Sequence, residues 1–254
     1  MAINFQQWDD LPLRNPPLVE VVCQVRFAPL LRIAEKLPSE FQELLRRRFP
    51  QFTVHSPIGI EARLFDISAP IKLPNQYDFR TADGRSAASL GVDFVALSTQ
   101  GYSTWSAFLK DLALVFRAFV KTYGAVAATR VGLRYINDLT LENTGGGAFE
   151  DLTQILNPDL AKLLVNPSWS QPISLSTHLL VDNDGERLTI RLTFESAPKV
   201  HVVLDYDYFL EMSPPSELGV KRLSQLTDHY HQMIYNAFRW SIREDAMDIF
   251  RPVQ

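Results

Sequence analysis

The chain has 254 residues, 46% of them hydrophobic and 21% charged, the balance of an ordinary soluble globular protein with length enough for a substantial core. Its net charge of −4 supplies no global attraction to nucleic acid or to an anionic membrane, and no apolar run approaches the ~20 residues needed to span a bilayer. The single cysteine, Cys23, cannot form an internal disulfide, and residues 1–10 have neither a basic start nor the apolar stretch of a signal peptide, so the expected compartment is the cytoplasm.

Pro12, Pro16 and Pro17 favour an extended lead-in. Alternation then predicts a half-buried strand over Leu18–Phe27, with Val19, Val21, Cys23, Val25 and Phe27 on one side and Leu18, Glu20, Val22, Gln24 and Arg26 on the other. Residues 37–50 predict a helix: Ser39 and Gln42 have capping-box spacing, Phe41, Leu44, Leu45 and Phe49 recur at helical spacing, and three arginines close the last turn. Asp83-Gly84 predicts a hairpin between strands over 77–81 and 87–98, while Pro57, Pro70 and Pro74 leave 55–75 as loop or sheet edge. Trp105–Tyr123 is a clear amphipathic helix, with Ser103 or Thr104 as its cap and Gly124 as its stop.

The second part repeats that order. Residues 129–139 alternate as a strand, 149–156 read as a short helix, and 160–165 continue it beyond Pro158. Strands over 173–181 and 187–194 flank Asp184-Gly185, a second hairpin signal. After Ala197-Pro198 a third strand covers 200–208, and Pro214-Pro215 and Ser216 precede a last aromatic helix over 218–242. The reading is an α+β protein of two similar β-α-β-β-β-α halves, residues 1–125 and 126–254, forming largely antiparallel sheets with the long helices packed on one face. Joined side by side, two such sheets make one curved sheet, and its open, polar face is where a site is expected.

Two clusters on that face could carry chemistry. Arg130, Arg134 and Asp138 share one side of the strand RVGLRYIND, with Gly132 leaving room between them, and Glu20, Gln24 and Arg26 add to the same kind of face. Paired guanidiniums recognise a phosphate or carboxylate; the commoner explanation is that they pair with carboxylates on adjacent strands, such as Glu20 or Asp205. His201, Asp205 and Asp207 share one side of the strand over 200–208 and would suit acid–base work or a hard metal. Only His178 and Asp182 offer themselves as further ligands, so no metal is expected. His229 and His231 diverge by roughly 200° on a helix, cannot grip one ion, and read as boundary residues. Gly145-Gly146-Gly147 lacks the Lys-Ser/Thr of a phosphate loop, and GxGxxG, GxSxG, HExxH and paired CxxC patterns do not occur. Cys23 alternates into the core, which argues against a thiol nucleophile, and no cofactor is expected.

The segments PPLVEVVCQVRF, FQELLRRRFPQF, RVGLRYIND and VLDYDYF, with LTDHYHQMIYNAF in the last helix, resemble a sporadically distributed family of uncharacterised bacterial proteins of about this length. The GLRYIN-type strand is the most specific part, and the resemblance covers nearly the whole chain. It implies a cytoplasmic protein of the accessory genome, of the kind found in mobile-element and phage-conflict systems, and implies no activity, cofactor or catalytic residue. The expected function is therefore that of a non-enzymatic binding or adaptor protein. It would recognise a small anionic ligand or an acidic protein partner through Arg26, Arg130 and Arg134. The other expectation is an enzyme or sensor acting on nucleotides or nucleic acid through the His201, Asp205 and Asp207 face. Net charge does not favour nucleic acid, no membrane partner is expected, and a homodimer that extends its sheets through an edge strand is a third expectation.

Overall fold

Alternating burial organises the whole molecule around its first strand, β1 (Leu18–Phe27), whose odd residues Val21, Cys23, Val25 and Phe27 are buried. The computed structural model describes residues 3–11, 13, 15–55, 61–64, 67–70, 75–146, 148–166, 168–169 and 172–250. After β1 come α1 (Leu31–Glu35), α2 (Ser39–Leu45), β2 (Gln51–His55), β3 (Glu61–Leu64), β4 (Ile67–Pro70), β5 (Gln76–Arg80), β6 (Ser86–Gly91), β7 (Phe94–Thr99) and α3 (Trp105–Tyr123). The second part has β8 (Ala127–Thr140), α4 (Leu141–Thr144), α5 (Phe149–Ile155), α6 (Pro158–Ala161), β9 (Ser174–Asn183), β10 (Glu186–Glu195), β11 (His201–Glu217), α7 (Val220–Ser241) and a closing 3-10 turn over Glu244–Phe250.

Nine of the strands form one antiparallel sheet in the order β2-β5-β6-β7-β1-β8-β11-β10-β9, and β3 pairs with β4 as a separate hairpin. The class is thus α+β. The middle of the sheet is the β1–β8 ladder, where Val21 lies opposite Tyr135 and Val25 opposite Val131. Helices meet buried rings of the strands: Phe119 of α3 packs on Phe27 at 5.0 Å, Phe41 of α2 on Phe79 at 5.4 Å, Phe149 of α5 on Phe194 at 5.0 Å, and Tyr230 of α7 on Tyr208 at 5.0 Å. One continuous apolar core results. Among the described residues no helix is long and apolar enough to cross a membrane.

Local signals account for several boundaries. The Thr104 hydroxyl accepts the Ala107 N–H at the start of α3, and Gly124, at φ +89°, closes its end through an N–H bond to Val120. Asp184 and Gly185 have φ of 55° and 94°, the left-handed pair that a two-residue hairpin needs. Other boundaries differ from expectation. The helix over 37–50 is only α2; Ser39 is its first helical residue rather than its cap, and the preceding Pro38 carbonyl takes the Gln42 N–H instead. The strand over 87–98 is folded into β6 and β7 about Val92-Asp93. Gly91 permits that turn, because a methyl there would lie 2.3 Å from the Phe94 ring opposite it. β11 runs through Pro214-Pro215, since pairing with β8 breaks after Glu211 and resumes at Ser216, which frees the prolines from the ladder. Pro57, Pro74 and Gly147 lie outside the described residues, and Pro70 ends β4.

Candidate functional site

The two polar clusters read from the sequence turn out to face each other. Arg134 on β8 donates from Nε and Nη2 to the two oxygens of Asp205 on β11, both at 2.7 Å, and Arg191 of β10 adds a third bond at 3.0 Å. Arg130 donates to both oxygens of Asp207 at 3.0 and 2.9 Å while its guanidinium lies 4.4 Å from the centre of the Phe209 ring. The space left by Gly132 is taken by Arg130 itself, since a methyl on Gly132 would sit 2.6 Å from Nη1. His201 donates from Nδ1 to Asp138 at 2.9 Å, and Arg26 is paired with Asp93 at 3.0 Å. Its bond to Asp205 raises the Arg134 pKa, whereas burial pushes the Asp207 carboxyl up against the pull of Arg130. The arginines therefore serve as counter-ions of the aspartates, which removes the basis for treating them as free anion contacts. His201, Asp205 and Asp207 are likewise turned to different partners, and no group of three His, Cys, Asp or Glu among the described residues could hold a metal ion.

A pocket lies instead where α7 meets Tyr135 and Asn137 of β8, beside Leu18 of β1. It encloses about 370 Å³ between the start of α3, the middle of α7 and the lead-in chain. Its polar floor is a relay of side chains distant in sequence. Tyr135 projects from β8 to His231 on α7, with the phenol oxygen 2.7 Å from Nδ1, and His231 Nε2 lies 3.0 Å from Asp10. A carboxylate only accepts, so Nε2 carries a proton toward Asp10, and in the tautomer with that single ring proton Nδ1 accepts the Tyr135 O–H. His231 is 6% exposed, and the Trp105 indole stacks on its imidazole at 4.5 Å with the planes 9° apart. Trp105 is itself held by an indole N–H bond to Asp228 at 2.6 Å. The Tyr102 ring leans on Tyr135 at 5.9 Å, and the two hydroxyls interact. Burial raises both phenols above their ordinary range, so the relay is built from neutral tyrosines.

The lead-in chain completes this pocket because α7 provides it with hydrogen bonds. Asn236, fully buried, accepts the Trp8 N–H at 3.1 Å and donates to the Gln7 side chain at 3.0 Å. Gln232 donates to the Trp8 carbonyl at 2.8 Å, and the Tyr235 hydroxyl accepts the Leu11 N–H at 3.3 Å. Residues 7–11 thus lie along α7 as a strap and deliver Asp10 to His231. Buried Asn137 also lines the pocket; among the described residues its amide makes a bond of 3.4 Å to the Leu204 carbonyl, long enough to leave it able to meet a ligand. Among the described residues, Asp10 is the only carboxylate in the lining and no Lys or Arg contributes. A larger and more open groove of about 670 Å³ runs beside Trp8, Arg239 and Trp240, but its Arg243 is neutralised by Asp245 at 2.6 Å.

His231 is therefore no boundary residue. His231, Ile234 and Phe238 follow the i, i+3, i+7 spacing of the buried stripe, but His229 is spaced as well against Leu226, Met233 and Ala237, so spacing alone gave no sign that separates the two. His229 is exposed and bonded to Glu186 at 2.9 Å. Asp10 had no sign either, for it stands in a stretch without periodicity. No family model matches the chain, and neither does any curated protein. Function is therefore argued from the geometry.

Proposed function

We propose that this is a binding protein for a small organic ligand, held in the pocket over β1 and β8 and carrying a hydrogen-bond-donating or cationic head. The observation behind this reading is the Asp10–His231–Tyr135–Tyr102 relay in an enclosed space of about 370 Å³, the size and polarity of ordinary ligand pockets. Its direction selects the ligand. In the tautomer with its proton on Nε2, His231 donates to Asp10 and accepts from Tyr135, so the Tyr135 oxygen is left to accept from Tyr102. The Tyr102 oxygen then remains as an acceptor at the pocket wall, and the ligand supplies the donor. Asp10 and the faces of Trp105 and Tyr102 favour a positive head over a negative one. Binding is preferred to catalysis because both phenols are held above their ordinary range and stay protonated, so neither is a ready base. The anionic ligand expected at Arg26, Arg130 and Arg134 gives way to this one.

The proposal carries the finer expectations with it. The halves are copies of one unit, β1 corresponding to β8 and β7 to β11, with α3 and α7 on one face; the strand order, which runs outward in the same sense from β1 and from β8, supports this. Membership of the bacterial family named above, and a cytoplasmic setting, complete the reading.

The test is thermal denaturation of the protein with tryptamine, tyramine and cyclohexylamine, each beside a carboxylate of matched shape. The amines are expected to raise the midpoint with concentration, as mass action requires of a ligand bound only by the native state. Ser103→Trp, at the exposed rim, and His231→Asn should abolish the shift. No shift in the native protein, an equal shift with the carboxylates, or a shift kept by Ser103→Trp would each overturn the proposal.

A further inference from the structure

The two edges of the sheet are unequal. β2 is five residues long, whereas β9 pairs with β10 through ten unbroken positions, from Ser174 opposite Glu195 to Asn183 opposite Glu186. Among the described residues no strand pairs with its far side, which leaves a row of backbone N–H and C=O groups open. Edge strands are normally protected by lysine, proline, bulges or brevity; β9 has none of these, and it exposes Leu179 by 50% and Leu180 by 52% on opposite faces. Its only titratable side chains are His178 and Asp182. The arginines opposite them on β10, Arg191 and Arg187, are directed to Asp205 and Glu211 instead.

We propose that two copies of this chain join through β9, antiparallel to itself, so that one sheet runs through both. A two-fold axis perpendicular to the sheet keeps each face on its own side. Residues that meet must therefore have equal parity and be symmetric about one central residue. Pairing of the polar side chains decides among the possible centres. An axis at His178 sets that residue against its own copy, and an axis at Leu179 leaves Asp182 opposite serine. An axis at Leu180 puts His178 against Asp182 of the partner subunit, Leu179 against Val181 of the partner subunit, and Leu180 against its own copy. The His178–Asp182 pairing, an imidazole with a carboxylate, is then made twice over, and the exposed leucines lie at the seam.

Sedimentation of the full chain over a concentration series should show a dimer of twice the 28.9 kDa chain mass. Under mild oxidation Leu180→Cys should cross-link the dimer readily and Leu179→Cys poorly, because only position 180 meets itself; Cys23 is buried and does not interfere. Leu179→Lys with Leu180→Lys should leave a folded monomer by circular dichroism, and Asp182→Lys should weaken a dimer that added His178→Asp restores. A monomer at the highest soluble concentration, preferential cross-linking at 179, or a dimer that survives the double lysine variant overturns the proposal.

Discussion

Asp78 is the residue whose environment makes the clearest demand on pH. It is 4% exposed on β5 and accepts from Ser89 at 2.7 Å, Gln76 at 3.0 Å, Arg80 at 3.1 Å and His55 at 3.1 Å. Burial acts to raise its carboxyl, but the bonds from Gln76 and Ser89 and the charges of His55 and Arg80 outweigh it and hold the group below its ordinary 3.8. A carboxyl depressed in the folded state stabilises the fold above its unfolded value and stops doing so as pH falls through the folded one. Asp78→Asn is expected to lower stability by about 1–3 kcal/mol at neutral pH. In urea titrations that gap should close in strong acid. A gap independent of pH would contradict the ionic account. At this scale the sequence was legible where alternation decides. Cys23 was read into the core, and there burial pushes its thiol up to about 12. His231 was not legible as a site, since its partners Tyr135 and Asp10 stand 96 and 221 positions away and spacing rules see only neighbours on the helix.

Among the elements, the β8–β11–β10 ladder carries the densest charge. Asp205, 8% exposed at its side chain, is held by Arg134 from one side and Arg191 from the other. Removing Arg134 leaves that carboxylate with a single partner, so Arg134→Ala should destabilise by about 1–3 kcal/mol. Arg134→Ala with Asp205→Ala should cost clearly less than the two single changes summed, because neither charge is then stranded. Chemical denaturation of the four proteins measures the coupling, and strict additivity would mean that the pairs contribute nothing. The hairpins at Asp83-Gly84 and Asp184-Gly185 were legible because few residues tolerate such turns. The Val92-Asp93 turn was not, for its cause is the Phe94 ring lying over Gly91 across the ladder. The run of β11 through two prolines was hidden for a similar reason. Proline forbids a ladder bond, and only the pairing with β8 reveals a stretch where none is made.

Across the molecule, the pocket depends on the strap more than on the sheet. Deleting residues 3–11 should remove the amine-dependent rise in melting midpoint while leaving the strand signal in circular dichroism, because the strap adds hydrogen bonds to α7 and no strand to the sheet. Loss of the fold itself would show that the buried Asn236 cannot be tolerated once its Nδ2 loses Gln7 and its Oδ1 keeps only Gln232. Continuity of one sheet through both parts of the chain could be read from element order. The side on which the site lies could not, since polar alternation advertises the exposed face while the relay is assembled from buried residues. The strap also sets a timetable. Asp10 leaves the ribosome early and His231 late, so β1 and β8 can pair while the pocket above them still lacks its second wall. The site is thus completed after the sheet during synthesis, and a product interrupted before α7 would carry the strands but no site.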